Sequence, residues 1–280
     1  MIGAEFDYAV AESVDDAIAL LAEGGEDAKL LAGGHSLVPL MKLRFAAPSL
    51  LVDLRRVDEL RGIQTGGDSF RIGALTRHAE LQARADMGLV AAVATQIADQ
   101  QVRNRGTIGG SLAHGDAAAD LPAVLLACDG SVVVRGPDGE REIAAADLFE
   151  GYLTTTVAHG EVLTEVRLPA LTGYGYGYEK FNRRAEDWAM VGVSALVKSD
   201  GGVCQDVRIG LTHMGATPLR ASAAEDALRG QPLDAEHIAA AAALAADATS
   251  PLGDLNATPE YKQHLARVLT RRALTTASAA

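Results

Sequence analysis

The sequence predicts an α+β protein in two parts, a larger domain over residues 1–172 and a smaller one over 173–280 made of a small antiparallel sheet with helices. Three observations lead there. Short apolar strands alternate with helical patterns up to about residue 55. Hairpin-forming strands follow as far as Pro169, and Leu171-Thr172-Gly173 then marks a boundary. Beyond it come three strands and helical sequence to the end; the change of pattern near residue 55 divides the first domain into 1–55 and 56–172.

Ser13-Val14-Asp15-Asp16 is a capping-box signature, and Val14, Ala17, Ile18 and Leu21 follow at helical spacing until Gly24-Gly25. Lys29-Leu30-Leu31-Ala32 and Leu50-Leu51-Val52-Asp53 are strands. A strand at 70–75 precedes helices over 76–83 and 87–99. Asp120 is placed to cap a helix through Ala127, with Pro122 in its first turn. Residues 131–135 and 141–143 make a hairpin around Gly136-Pro137-Asp138-Gly139, and 161–168 alternates as a strand. Tyr174, Tyr176 and Tyr178 share one face of the next strand, 191–198 and 203–214 pair across a glycine turn, and helices follow at 221–228, 234–246 and 259–274.

Composition excludes several function classes. A net charge of -12 with 4% aromatic residues argues against a nucleic-acid partner. Two distant cysteines, Cys128 and Cys204, make neither a disulfide framework nor a thiolate cluster, and the seven histidines show no metal-ligand spacing, so no metal is expected. No basic-then-apolar leader or membrane-length apolar run occurs, which suggests a cytoplasmic protein that reaches the inner face of a membrane only through a larger complex. Neither G-x-x-x-x-G-K-[ST] nor a strand-borne G-x-G-x-x-G is present, and no G-x-S-x-G elbow accompanies the serines.

The informative stretches are two double-glycine bends, Ala32-Gly33-Gly34-His35-Ser36 and Thr107-Ile108-Gly109-Gly110-Ser111. Glycine pairs can take positive φ and expose successive amides to an anion, and two such grips suit a diphosphate. Two ordinary glycine turns would look the same. Arg183-Arg184-Ala185-Glu186-Asp187 reads as a solvated turn or, beside Trp188, as the edge of a site.

The two bends in this order, together with Asp120, resemble the flavoprotein (medium) subunit of the molybdenum hydroxylases, and within them the carbon monoxide dehydrogenase type, whose first grip also reads Ala-Gly-Gly-His-Ser. Gln101-Val102-Arg103-Asn104-Arg105-Gly106, Glu161-Val162-Leu163 and Glu179-Lys180-Phe181 fit the same pattern, so the resemblance spans nearly the whole chain. It implies an FAD-binding domain of two subdomains, of the PCMH/vanillyl-alcohol-oxidase type, and a C-terminal domain of the carbon monoxide dehydrogenase flavoprotein type. FAD would be the cofactor, with no catalytic side chain. Leu31, Ala32, Gly33, Gly34, His35, Ser36 and Leu37 would cradle the pyrophosphate with Thr107, Ile108, Gly109, Gly110 and Ser111. Asp120 would bond the adenosine part, Ile97 would lie near the adenine, Leu163 and Lys180 near the isoalloxazine, and Asp187 and Trp188 at the flavin edge. Ser111 stands where many relatives have asparagine, and either side chain can bond a phosphate oxygen.

The resemblance also implies partners: an iron–sulfur small subunit and a molybdenum-cofactor large subunit, assembled as a dimer of heterotrimers, with an external electron acceptor. The chain would pass electrons between the clusters and that acceptor. A self-sufficient flavin oxidase or reductase of the same fold is one alternative, and a non-catalytic phosphate-ligand-binding module is another.

Overall fold

The computed structural model describes residues 3–279; Met1, Ile2 and Ala280, at the outer ends of the two expected domains, lie outside the described residues. The first unit comprises β1 (Asp7–Val10), α1 (Val14–Gly24), β2 (Ala28–Leu31), α2 (Leu37–Lys42) and β3 (Leu50–Asp53). Its three strands pair in parallel in the order β1-β3-β2. The α1 start is the one expected: Ser13 Oγ accepts from the Asp16 amide at 3.1 Å, and Val14, Ala17 and Leu21 are buried. The α2 helix was not anticipated. Its Pro39 sits in the first turn, where a missing amide costs nothing, so proline there does not break the helix.

The second unit runs β4 (Ile63–Gly66), β5 (Ser69–Gly73), α3 (His78–Gln82), α4 (Leu89–Ala94), α5 (Gln100–Arg103), α6 (Ile108–His114) and α7 (Asp120–Ala127). It continues through β6 (Ser131–Gly136), β7 (Gly139–Ala144), α8 (Ala145–Leu148), β8 (Phe149–Gly151), β9 (Thr154–Thr155) and β10 (Val162–Pro169). Five strands form an antiparallel sheet of order β4-β5-β10-β6-β7, while β8 and β9 pair separately. Ile72, Val132, Val134 and Val166 from the sheet pack with Val93 of α4 and Val124 of α7 in one core.

Three local expectations are corrected here. The helix predicted over 87–99 is a 3-10 turn, Ala85–Met87, followed by α4, which stops at Ala94; Ala98 at φ 42° lies in left-handed geometry that a continuous helix cannot pass. Asp120 is not an N-cap. Ala119 occupies that position, and the Asp120 carboxylate is buried against Tyr178 and Lys180 instead. Gly109 and Gly110 do not use positive φ, for both lie within α6. Gly109 is there for close approach: a Cβ on it would fall 2.5 Å from the Ala74 Cβ.

The remaining chain forms β11 (Tyr174–Phe181), β12 (Val191–Asp200), β13 (Val203–Thr212), β14 (Leu219–Arg220), α9 (Ser222–Leu228), α10 (Ala235–Ala243) and α11 (Pro259–Ser278). The four strands pair antiparallel in chain order. Tyr174 and Tyr178 do share a face, and both pack against the core of the second unit. On the opposite face, Gly177 lets α11 come close: a Cβ there would lie 2.2 Å from the Ala273 carbonyl oxygen. Gly210 does the same for α7, at 2.2 Å from the Ala123 carbonyl oxygen. A missing side chain at one point on each face thus lets both helices sit at short range.

Gly177→Ala is therefore expected to destabilise the protein by about 1–3 kcal/mol, the usual cost of overpacking. Gly66→Ala, which meets nothing within 4 Å, is expected to stay within about 0.5 kcal/mol of the parent in the same urea-unfolding experiment. Equal midpoints for both variants contradict the close-packing account.

Candidate functional site

The first bend follows directly from β2 and turns into α2. Gly34 takes φ 79°, which needs glycine, and the bend points consecutive amides outward. Among the described residues, the amides of Gly34, His35, Ser36 and Leu37 donate to no group of the protein, and Ser36 makes no side-chain cap. Such a row of free N–H groups is an anion-binding concavity.

The second bend differs from the expectation. Its amides are already engaged: Ile108 N with Thr76 O at 3.0 Å, Gly109 N with Ala74 O at 2.9 Å, Gly110 N with Thr107 Oγ1 at 3.2 Å, and Ser111 N with Thr107 O at 3.0 Å. The first two bonds tie α6 to the turn after β5 at 74–76, and the last two close its first turn on Thr107. What the second bend offers a ligand is the Ser111 hydroxyl and a surface without bulky side chains. The two bends nevertheless face each other closely. A Cβ on Gly33 would stand 2.5 Å from Arg105 O and 2.9 Å from Gly106 Cα, and one on Gly110 would be 3.7 Å from Ala32 Cβ.

Between them opens a cavity of about 680 Å³, within the usual range for a ligand pocket. Every residue expected to bind the ligand borders it except Ile108, whereas Arg183, Arg184 and Ala185 of the charged turn do not. Ile108 is 3% exposed and belongs to the second unit's core, since its position in the first turn of α6 aims the side chain inward. Ile97 and Leu163 supply apolar wall. Asp187 and Trp188 lie at the rim, with Asp187 held by Arg184 at 2.8 Å and Trp188 65% exposed.

Asp120 and Lys180 come from different units yet form a buried ion pair at 2.9 Å. Tyr178 donates its hydroxyl to the other carboxylate oxygen at 2.5 Å, and Lys180 also donates to Gln96 O at 3.1 Å. The ammonium keeps a third hydrogen for the cavity it borders. Asp120 and Lys180, expected at different parts of the ligand, are thus brought into one ion pair on the cavity wall. Burial pushes the Asp120 carboxyl up, against the opposing pull of Lys180 and Tyr178. Burial, with the Asp120 charge, also raises the Tyr178 phenol well above its ordinary value.

Sequence reasoning missed His78. It borders the cavity at 6% exposure, and its amide donates to Gly106 O at 3.0 Å. Its ring packs on Gly106, where a Cβ would come within 2.8 Å of Nε2. Nothing in local spacing signals this, because the contact joins residues brought together by the Arg77–Thr107 bridge. Burial, with His35 and Arg103 nearby, pushes the His78 imidazole down to about 4.

A two-part α+β domain that opens one large cavity between two glycine bends has the architecture of a dinucleotide-binding protein, and likeness to known proteins makes the class specific. The FAD binding domain in molybdopterin dehydrogenase matches residues 4–171, and the CO dehydrogenase flavoprotein C-terminal domain matches residues 176–277. The chain is 42% identical to the carbon monoxide dehydrogenase medium chain of Hydrogenophaga pseudoflava, covering 99% of this chain and 98% of that one. It is also 42% identical to subunit alpha of the 6-hydroxypseudooxynicotine dehydrogenase complex of Paenarthrobacter nicotinovorans, covering 96% and 93%. The solved carbon monoxide dehydrogenase from Hydrogenophaga pseudoflava that lacks the Mo-pyranopterin moiety superposes with a TM-score of 0.97 at 44% identity, over 100% of this chain and 99% of that chain. The chain belongs to the family of FAD-binding medium subunits of the molybdenum hydroxylases: it is an oxidoreductase subunit, and its cofactor is FAD.

His78 gives the site a pH signature. Its folded pKa of about 4 lies below the ordinary value of about 6.5, so the unfolded chain takes up the proton first and stability falls as pH drops between these values. His78→Gln is expected to flatten that part of the unfolding free-energy profile by up to about 1.4 kcal/mol per pH unit. Parallel profiles for parent and variant, measured by urea unfolding, contradict the assignment.

Proposed function

We propose that the chain is the electron-transfer subunit of a molybdenum hydroxylase. It takes electrons from iron–sulfur clusters of a small partner subunit, fed by a large subunit that carries the molybdenum cofactor, and passes them to an external acceptor. The observation that carries this reading is the row of free amides from Gly34 to Leu37 facing a second, side-chain-poor bend across the cavity. FAD, when bound, supplies the redox chemistry. This chain's residues bind and orient it.

In this reading the Gly34–Leu37 amides hold the diphosphate, with the Ser111 hydroxyl as a further donor. Ile97 packs beside the adenine. The Asp120–Lys180 pair, held by Tyr178, and Leu163 orient the remainder of the nucleotide, while Asp187 and Trp188 close the rim. Because Lys180 is neutralised by Asp120, it adds a hydrogen bond without leaving an uncompensated buried charge. Residues 1–172 form the cofactor domain, and 173–280 complete it by supplying Tyr178 and Lys180.

The chain holds only Cys128 and Cys204, both buried and far apart in sequence, which cannot ligate a cluster together with enough thiolates, so the electrons must arrive from another chain. This favours a partner subunit that carries the clusters, and the family resemblance extends the proposal to a dimer of heterotrimers in the cytoplasm, associated with a membrane only through the complex. No helix among the described residues is long and apolar enough to cross one. The two curated relatives named above, at equal identity, carry different substrates in their names, so likeness in this chain does not select a substrate.

Gly33→Ala tests the reading, because its methyl group would meet the Arg105 carbonyl oxygen at 2.5 Å and force the bends apart. In the purified assembly, FAD affinity is expected to fall roughly tenfold or more. The partner clusters should still be reduced by substrate, while delivery to the acceptor is lost. Full FAD content with undiminished acceptor turnover in this variant, or a parent chain that releases no FAD on denaturation, contradicts the reading.

A further inference from the structure

We propose that His213 is a positioning residue for the cavity rim, tying the Asp187–Trp188 segment to the turn between α6 and α7. His213 follows β13 in left-handed geometry at φ 63°. A ring-bearing residue adopts that backbone at a cost and keeps it only where surrounding contacts over-determine it. Three contacts do so. Its amide donates to Ala117 O at 2.8 Å, its Nδ1 lies 2.8 Å from Ala189 O, and its Nε2 lies 3.3 Å from Lys262 Nζ.

The chemistry of these partners fixes the protonation state of the ring. A carbonyl oxygen only accepts, so Nδ1 must carry hydrogen. An ammonium only donates, so Nε2 must be bare. Both neighbours therefore select the same neutral tautomer. Lys262 is itself completely buried, and its three hydrogens meet three acceptors: Asp254 Oδ2 at 2.7 Å, Leu252 O at 2.8 Å and His213 Nε2. A buried ammonium is a poor source of stability compared with an apolar side chain of similar size. What this one supplies is a defined orientation of the imidazole.

The two carbonyls held by His213 belong to buried residues whose chain neighbours line the cavity. Ala189 directly follows Asp187 and Trp188, and Ala117 lies between Asp116 and Ala119; all four of these neighbours border the cavity. One residue outside the cavity thus joins two segments of its border, one from each domain. The tie itself stands on geometry alone. Its consequence for FAD rests on the function proposed above.

Trp188 is the sole tryptophan, so its emission reports the rim directly. His213→Asn keeps a side chain suited to the left-handed backbone but loses the ring, and Lys262→Met removes the donor that orients it. Leu228→Ala, in the same core and away from the tie, controls for general destabilisation. In the FAD-free protein, time-resolved anisotropy is expected to show larger nanosecond motion of Trp188 in both tie variants and none beyond the parent in the control. FAD release should quicken roughly threefold to tenfold in the tie variants, as for one lost hydrogen bond. In the unmodified protein, nitrogen-15 NMR should find His213 with its proton on Nδ1, a result that needs no variant to fold. A proton on Nε2, unchanged Trp188 motion in both tie variants, or an equal change in the control overturns the proposal. Failure of the parent to bind FAD would sink the functional assignment while leaving the NMR and anisotropy arms to judge the tie.

Discussion

The closeness of two glycine bends is the constraint on which the rest depends. Gly33 lies against Arg105 and Gly106 with no room for a single carbon between them, and Gly109 lies against Ala74 in the same way. The missing side chain at Gly33 lets the parallel three-stranded unit close against the second unit, and the one at Gly109 seats α6 on Ala74 within that second unit. The cavity is what remains where the backbones touch and the side chains do not fill the gap. Its division of labour follows from hydrogen-bond satisfaction. The second bend uses its amides to anchor α6 within the fold, whereas the first leaves its amides free. One bend is scaffold and the other is donor.

The C-terminal sheet does more than cover the cofactor domain. Tyr178 and Lys180 stand on one face of β11 and converge on Asp120 at the start of α7, while Gly210 allows α7 to lie close to the sheet. A buried carboxylate without these partners would carry a large desolvation penalty, and so would the ammonium without the carboxylate. The pair therefore joins the two domains and the cavity wall in one charge-compensated unit. Loss of either partner would disturb packing and ligand contact together.

Much of this was legible in the sequence because the signals were local. Hairpin 131–144, the cap at Ser13, the tyrosine face and the C-terminal helices all follow from spacing and turn chemistry within a few residues. The convergence of the bends was also anticipated, through the resemblance rather than through periodicity. What escaped detection required three-dimensional closure. That Gly109 serves packing, and not positive φ, depends on Ala74, a residue 35 positions away in sequence. The Asp120 pairing depends on a strand from the other domain, and His78 reaches the cavity only through a bridge to Thr107. Ile108 falls outside the cavity's border because a motif names consecutive residues, whereas a helix turns successive side chains to different sides.

The central claim is that free amides of the first bend, and not those of the second, receive the diphosphate of FAD. Amide chemical shifts recorded while FAD is added to the nitrogen-15-labelled chain test it most directly. Large downfield shifts are expected at Gly34, His35, Ser36 and Leu37, with little movement at Ile108 and Gly109, whose hydrogens are already bonded within the fold. Shifts concentrated away from the first bend, or a silent Gly34–Leu37 stretch in FAD-saturated protein, would contradict it.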